Sequence, residues 1–180
     1  MPTPKLSESQ VAQVSALVAQ YIEQQRGLYA PHAVPLSKQE HAAMRGFFPP
    51  DLLASTRLLA LRKERVADPV FYPMLRKLGF NNLPSQSTMA AITFCDVVVS
   101  HGPFSKPTLF HELVHVEQYH QLGIPRFSEL YVRGFLSGGS YEAIPLEINA
   151  YGLEGEYERN PDRTFSVPER VQTFLKKSRP

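Results

Sequence analysis

The stretch Pro107-Thr-Leu-Phe-His111-Glu112-Leu-Val-His115-Val-Glu117-Gln118-Tyr-His120-Gln121-Leu122 decides how this chain is read. Its punctuation is that of a helix. Ser105 can serve as N-cap, Pro107 falls in the first turn, and Gly123 stands just past the last. At helical period Leu109, Leu113, Val116 and Leu122 form an apolar stripe, with Phe110 and Val114 as core packing, while Gln118 and Gln121 are expected to meet solvent. His111 and His115 lie one turn apart on one face, where two imidazoles can grip a single metal ion. Glu112, one step round the helix, is placed to take a proton from a water bound to that ion.

Working outward, Met89 to Ser100 carries the best strand signal, β-branched and aromatic, as one long strand or a hairpin turning near Cys95-Asp96. Such a strand ahead of the motif helix is the kind of edge that holds an extended peptide by its backbone. Arg57 to Leu61 is too short for periodicity to decide, and Asp68 to Pro84 reads as irregular chain around a short helix near Pro73 to Lys77. Downstream, helices are expected over Pro125 to Leu136, Pro145 to Glu158 and Pro168 to Lys177. Upstream, Ser7 with Gln10 and Ser37 with Glu40 make two capping boxes, the first opening a helix that Gly27 would stop. The expectation is an α+β fold: one mostly helical domain over residues 1–180, with a helical layer over 1–50 and a metal-site core over 89–158 around a small sheet.

The 180 residues are 43% hydrophobic and 20% charged, ordinary for a globular protein that buries its own core. A net charge of +2, with the densest basic cluster (Lys176, Lys177, Arg179) at the terminus, argues against a nucleic-acid surface. Cys95 is the only cysteine, which excludes an intrachain disulfide and a multi-cysteine zinc site. Neither a signal peptide over Met1 to Gln10 nor an apolar run long enough to span a membrane is seen, so a soluble, cytoplasmic protein without membrane partners is expected.

A catalytic zinc needs a third protein ligand and an open position for water. A three-histidine site would need Gly and His where the chain has Gln118 and Gln121, and His120 lies half a turn round from His111. Glu147 on a later helix, Glu142 in the loop before it, and Cys95 stay open as candidates. His41, His101, Glu117 and His120 read as surface or supporting groups, and Cys95 otherwise as a small buried apolar residue.

From Met89 to Glu158 the chain resembles a minimal gluzincin-type zinc metallopeptidase domain. The likeness rests on the strand, the His111-Glu112-Leu113-Val114-His115 motif, and Glu147 with Ala150 on a later helix. It is also similar to small uncharacterised bacterial domains bearing HELxHxxQ, matched by His111 through Gln118. The resemblance implies a zincin-like fold, zinc on His111, His115 and Glu147, and Glu112 as general base for hydrolysis of a peptide or protein substrate. Tyr141 and Tyr151 are candidate donors to the developing oxyanion. In better-known gluzincins an aspartate four residues after the glutamate ligand orients a histidine; here that position is Tyr151. An alternative is a zincin-derived binding domain that holds metal without catalysis, and a remoter one is a helical interaction module in which the motif is accidental.

Overall fold

In a computed structural model the chain is described over residues 4–177, so the first three residues and the last three, Arg179 among them, lie outside the described part. The chain adopts an α+β fold, mostly helical, with one small mixed sheet. Seven α-helices are described: α1 (Glu8–Tyr29), α2 (Lys38–Met44), α3 (Pro50–Ser55), α4 (Tyr72–Lys77), α5 (Lys106–Gly138), α6 (Pro145–Arg159) and α7 (Val167–Lys177). The four strands are β1 (Val34–Pro35), β2 (Arg57–Ala60), β3 (Ala91–Phe94) and β4 (Val97–Ser100), in spatial order β1-β2-β4-β3. Both capping boxes form: Ser7 accepts from the Gln10 amide and Ser37 from the Glu40 amide, and each N3 side chain reciprocates. α1 continues past Gly27 to Tyr29, because its apolar positions keep finding partners there: Tyr29 stacks on Phe94, ring centroids 6.0 Å apart. No helix among the described residues is long and apolar enough to cross a membrane.

The Met89–Ser100 segment resolves as a hairpin. Cys95 turns it with φ of 63°, and Arg26 of α1 clasps the adjacent Asp96, its terminal NH₂ nitrogen 2.9 Å from Oδ2. Cys95 is thus half-buried at the turn rather than a buried strand residue, since a tight turn must expose one of its corners. β2 pairs parallel with β4 and leaves β3 as an edge strand, beside which the motif helix lies. Ser105 caps α5 as its hydroxyl accepts from Thr108 N at 3.1 Å. At Gly123 the backbone leaves helical geometry (φ 70°, ψ 161°), a conformation that favours glycine, and Pro125 starts a second helical run with a new axis.

α5 divides two apolar clusters. Its motif half presents Leu109, Phe110, Leu113, Val114 and Val116 to one, built with α2, α3, α6 and α7. Phe110 is fully buried, stacked on Tyr157 with centroids 4.5 Å apart, and truncating such a side chain costs about 3–5 kcal/mol. The other cluster unites α1, the hairpin and both halves of α5 through Ile22, Phe94, Tyr119 and Phe127. The motif helix is thereby gripped from both sides, with its histidine face turned to α6.

Candidate metal centre

Helix α6 reaches the histidine face because small residues allow it. Ala150 is fully buried against α5. At the start of α6, Pro145 sits so close to Gly134 of α5 that a Cβ on Gly134 would lie 2.6 Å from its ring. That approach carries Glu147 over the two imidazoles. His111 Nε2 and His115 Nε2 stand 3.1 Å apart, and Glu147 Oε2 is 3.4 Å from the first and 3.3 Å from the second. All three residues are buried, and among the described residues they form the group of ligating side chains close enough to share one ion.

The outer nitrogens of both rings determine what the inner ones can do. His115 Nδ1 is 2.8 Å from Gln118 Oε1. The Gln118 amide cannot be turned the other way, because its Nε2 donates to the Leu146 carbonyl at 3.0 Å, and a carbonyl only accepts. His115 therefore carries its proton on Nδ1 and points a lone pair inward from Nε2. His111 Nδ1 lies 3.0 Å from Glu154 Oε2, a carboxylate that likewise requires a donor. Two lone pairs and a carboxylate oxygen thus converge on one small volume, and Glu147 Oε2 has no hydrogen-bond donor of its own. Three acceptors in contact repel unless a cation or a proton lies between them. The donor set fits a metal ion, and the buried His111, His115, Glu147 group can bind one.

Without metal, a proton must serve instead. Burial lowers the basicity of His115, but the adjacent Glu147 carboxylate outweighs it and carries the imidazole up to about 9. Glu147 shows the converse: burial would raise its carboxyl, yet the two histidines hold it well below the ordinary carboxylate range.

Glu112 is buried beside this cluster and lines a cavity next to it. Its carboxylate accepts from Thr93 Oγ1 of β3 at 2.7 Å. Burial pushes its carboxyl upward, and the attraction of His115 and His111 and the Thr93 hydrogen bond offset this only in part. A carboxyl raised toward neutrality is suited to accept and return a proton.

The remaining candidates fall elsewhere. Glu142 is exposed in the short turn before α6, and Cys95 lies at the hairpin tip, so neither joins the cluster. The Tyr151 ring packs on His111, centroids 4.4 Å apart, and its hydroxyl is hydrogen-bonded with that of Tyr141. The Tyr141 hydroxyl lies against the Glu147 carboxylate, on the cavity side. Gln118, expected in solvent, is fully buried as the bracket that ties His115 to α6. His101 is structural, joining Met89 O to Val66 N across the start of the hairpin. His41 is half-buried and His120 exposed, whereas Glu117 is buried beneath Gln121, 2.7 Å away.

Glu154 and Thr93 are the supporting residues that sequence reasoning missed. Glu154 falls two helical turns after Glu147 and on its face, a periodicity that could have identified it. Thr93 offers only a hydroxyl in an otherwise apolar strand. No family model, no curated protein and no solved structure matches this chain.

Proposed function

We propose that this protein is a zinc-dependent hydrolase of the metallopeptidase type, acting on a peptide or protein substrate. The observation that carries the proposal is the convergence of three inward-facing acceptors, at 3.1 to 3.4 Å from one another, beside a buried carboxylate. Ligands bound tetrahedrally at about 2.0–2.1 Å stand roughly 3.3–3.4 Å apart, which favours zinc with two histidines and one glutamate. Zinc held there would supply an acidified water and a Lewis acid for the scissile carbonyl. His111 and His115 bind as neutral imidazoles because Glu154 and Gln118 hold their protons on the outer nitrogens. Glu112, steadied by Thr93, accepts a proton from the attacking water and returns it to the departing amine nitrogen. The Tyr141 hydroxyl, beside Glu147, is the donor we assign to the developing oxyanion.

The test is Glu112→Gln, which preserves shape and removes the base. Zinc content should stay at that of the wild type while peptide hydrolysis falls by about 10²–10⁴-fold. If the variant keeps its activity, the proposed mechanism is wrong. If the wild type binds zinc and hydrolyses no peptide in a broad library, the chain is a metal-holding binding domain instead.

A further inference from the structure

A cavity of about 100 Å³ opens from Glu112, His115 and Glu147 and runs between the edge strand and the amino-terminal helix. Ile22 of α1, Ala91 and Phe94 of β3, and Phe127 of α5 contribute apolar surface to its wall. Five tyrosines and Gln86 lie there too; Tyr141 faces Glu147, the Gln86 amide donates to Tyr72 and Pro84 O, and three of the other hydroxyls are already bonded to carbonyls. Tyr21 donates to Ala67 O at 2.8 Å, Tyr72 to Pro84 O at 3.0 Å, and Tyr119 to Thr93 O at 3.4 Å. Thr93 is likewise committed to Glu112. Among the described residues, no charged side chain beyond the reaction centre itself lines the space.

We propose that this cavity is a specificity pocket for one branched aliphatic side chain next to the scissile bond, with α1 as one of its walls. The proposal rests on the hydrolase reading above. Its size follows from volume: an apolar cavity of roughly 150 Å³ holds a benzene ring, so about 100 Å³ suits a four-carbon group such as isobutyl. Its chemistry follows from a wall that is mostly apolar and carries no charged side chain outside the reaction centre. A charged side chain would be desolvated there with no counter-charge except the carboxylates and imidazoles needed for the reaction. An aromatic ring is too large unless a wall gives way. α1 is thereby part of the binding site rather than a separate layer, and Ile22 and Ala91 set the depth.

Hydroxamates of the form R–CO–NHOH test this on the zinc-loaded full-length chain, with R as methyl, isobutyl, benzyl or carboxyethyl. The methyl compound reports on the metal alone. Isobutyl should bind about tenfold tighter than methyl or better, as expected for burying three further carbons, whereas benzyl and carboxyethyl should bind no tighter than methyl. Ala91→Leu, which fills the pocket, should erase the isobutyl advantage. Ile22→Ala, which enlarges it, should transfer that advantage to benzyl; should this variant not fold, the wild-type series and Ala91→Leu still decide. Methyl hydroxamate binding with no isobutyl advantage, or an advantage that survives in Ala91→Leu, overturns the pocket and leaves the metal site standing. Failure of every hydroxamate to bind the zinc-loaded chain overturns the hydrolase reading itself.

Discussion

The two sides of the candidate centre are built on opposite principles. The α6 side is polar and over-determined: Glu147 faces both imidazoles, Glu154 fixes one, and Gln118, tied to the Leu146 carbonyl, fixes the other. The side formed by α1 and β3 is mostly apolar, and the Tyr21 hydroxyl of α1 is taken up by the Ala67 carbonyl. The polar side holds charge at fixed positions, where an error of an ångström would matter, so each group has a second partner. The apolar side only has to exclude water and leave a space of the right size. That difference predicts how each side responds to change.

Among the residues that support the ligands on the polar side, the largest expected effect is at Glu154. Glu154→Gln removes the anion that holds the His111 proton, and zinc affinity should fall by roughly 10–100-fold, measured by competition with a chelating dye. If affinity is unchanged, the over-determination described for that side is not functional.

Next is the contact that brings α6 to α5. Gly134→Ala places a methyl group 2.6 Å from the Pro145 ring. It should destabilise the fold by about 1–3 kcal/mol, and thermal unfolding should shift down by several degrees, on the order of 2–4 °C per kcal/mol. Zinc affinity should weaken with it, because Glu147 rides on the same helix.

The smallest effect lies on the apolar side, at the clasp between Arg26 and Asp96. Partial burial would raise the Asp96 carboxyl, but the Arg26 guanidinium outweighs it and leaves the group below its ordinary value. A carboxyl depressed in the folded state stabilises above the unfolded value, about 4, and the contribution is lost as pH falls through the folded one. The pair is partly exposed, so it is worth about 1 kcal/mol or less. Asp96→Asn should lower stability slightly at pH 7 and converge on the wild type in acid, as followed by urea unfolding at the two pH values.

Legibility in the sequence tracks the same division. Helix boundaries are readable wherever a side chain closes them: Ser7, Ser37 and Ser105 all cap as their spacing demands. The spacing of His111 and His115 puts both rings on one face, because a helix makes that local. Glu147 needs help from a family resemblance, since only the packing of α6 on α5 brings it over the histidines. Glu154 is legible by period, but the family pattern directs attention to the position one turn earlier, which Tyr151 occupies. Gln118 reads wrongly as solvent-facing: amphipathic spacing cannot distinguish a buried polar bracket from a surface glutamine. The short α3, β1 and the choice between strand and hairpin depend on pairing across the fold, to which a single sequence gives no access.

The central claim is that His111, His115 and Glu147 hold one zinc ion, and titration calorimetry of zinc into the chelator-stripped chain tests it most directly. One site per chain is expected in the wild type. Glu147→Ala should lose more affinity than the roughly 10–100-fold expected for an orienting residue, with the fold retained by circular dichroism. Zinc binding of equal strength in the wild type and in Glu147→Ala, or none in a folded wild type, would contradict the claim.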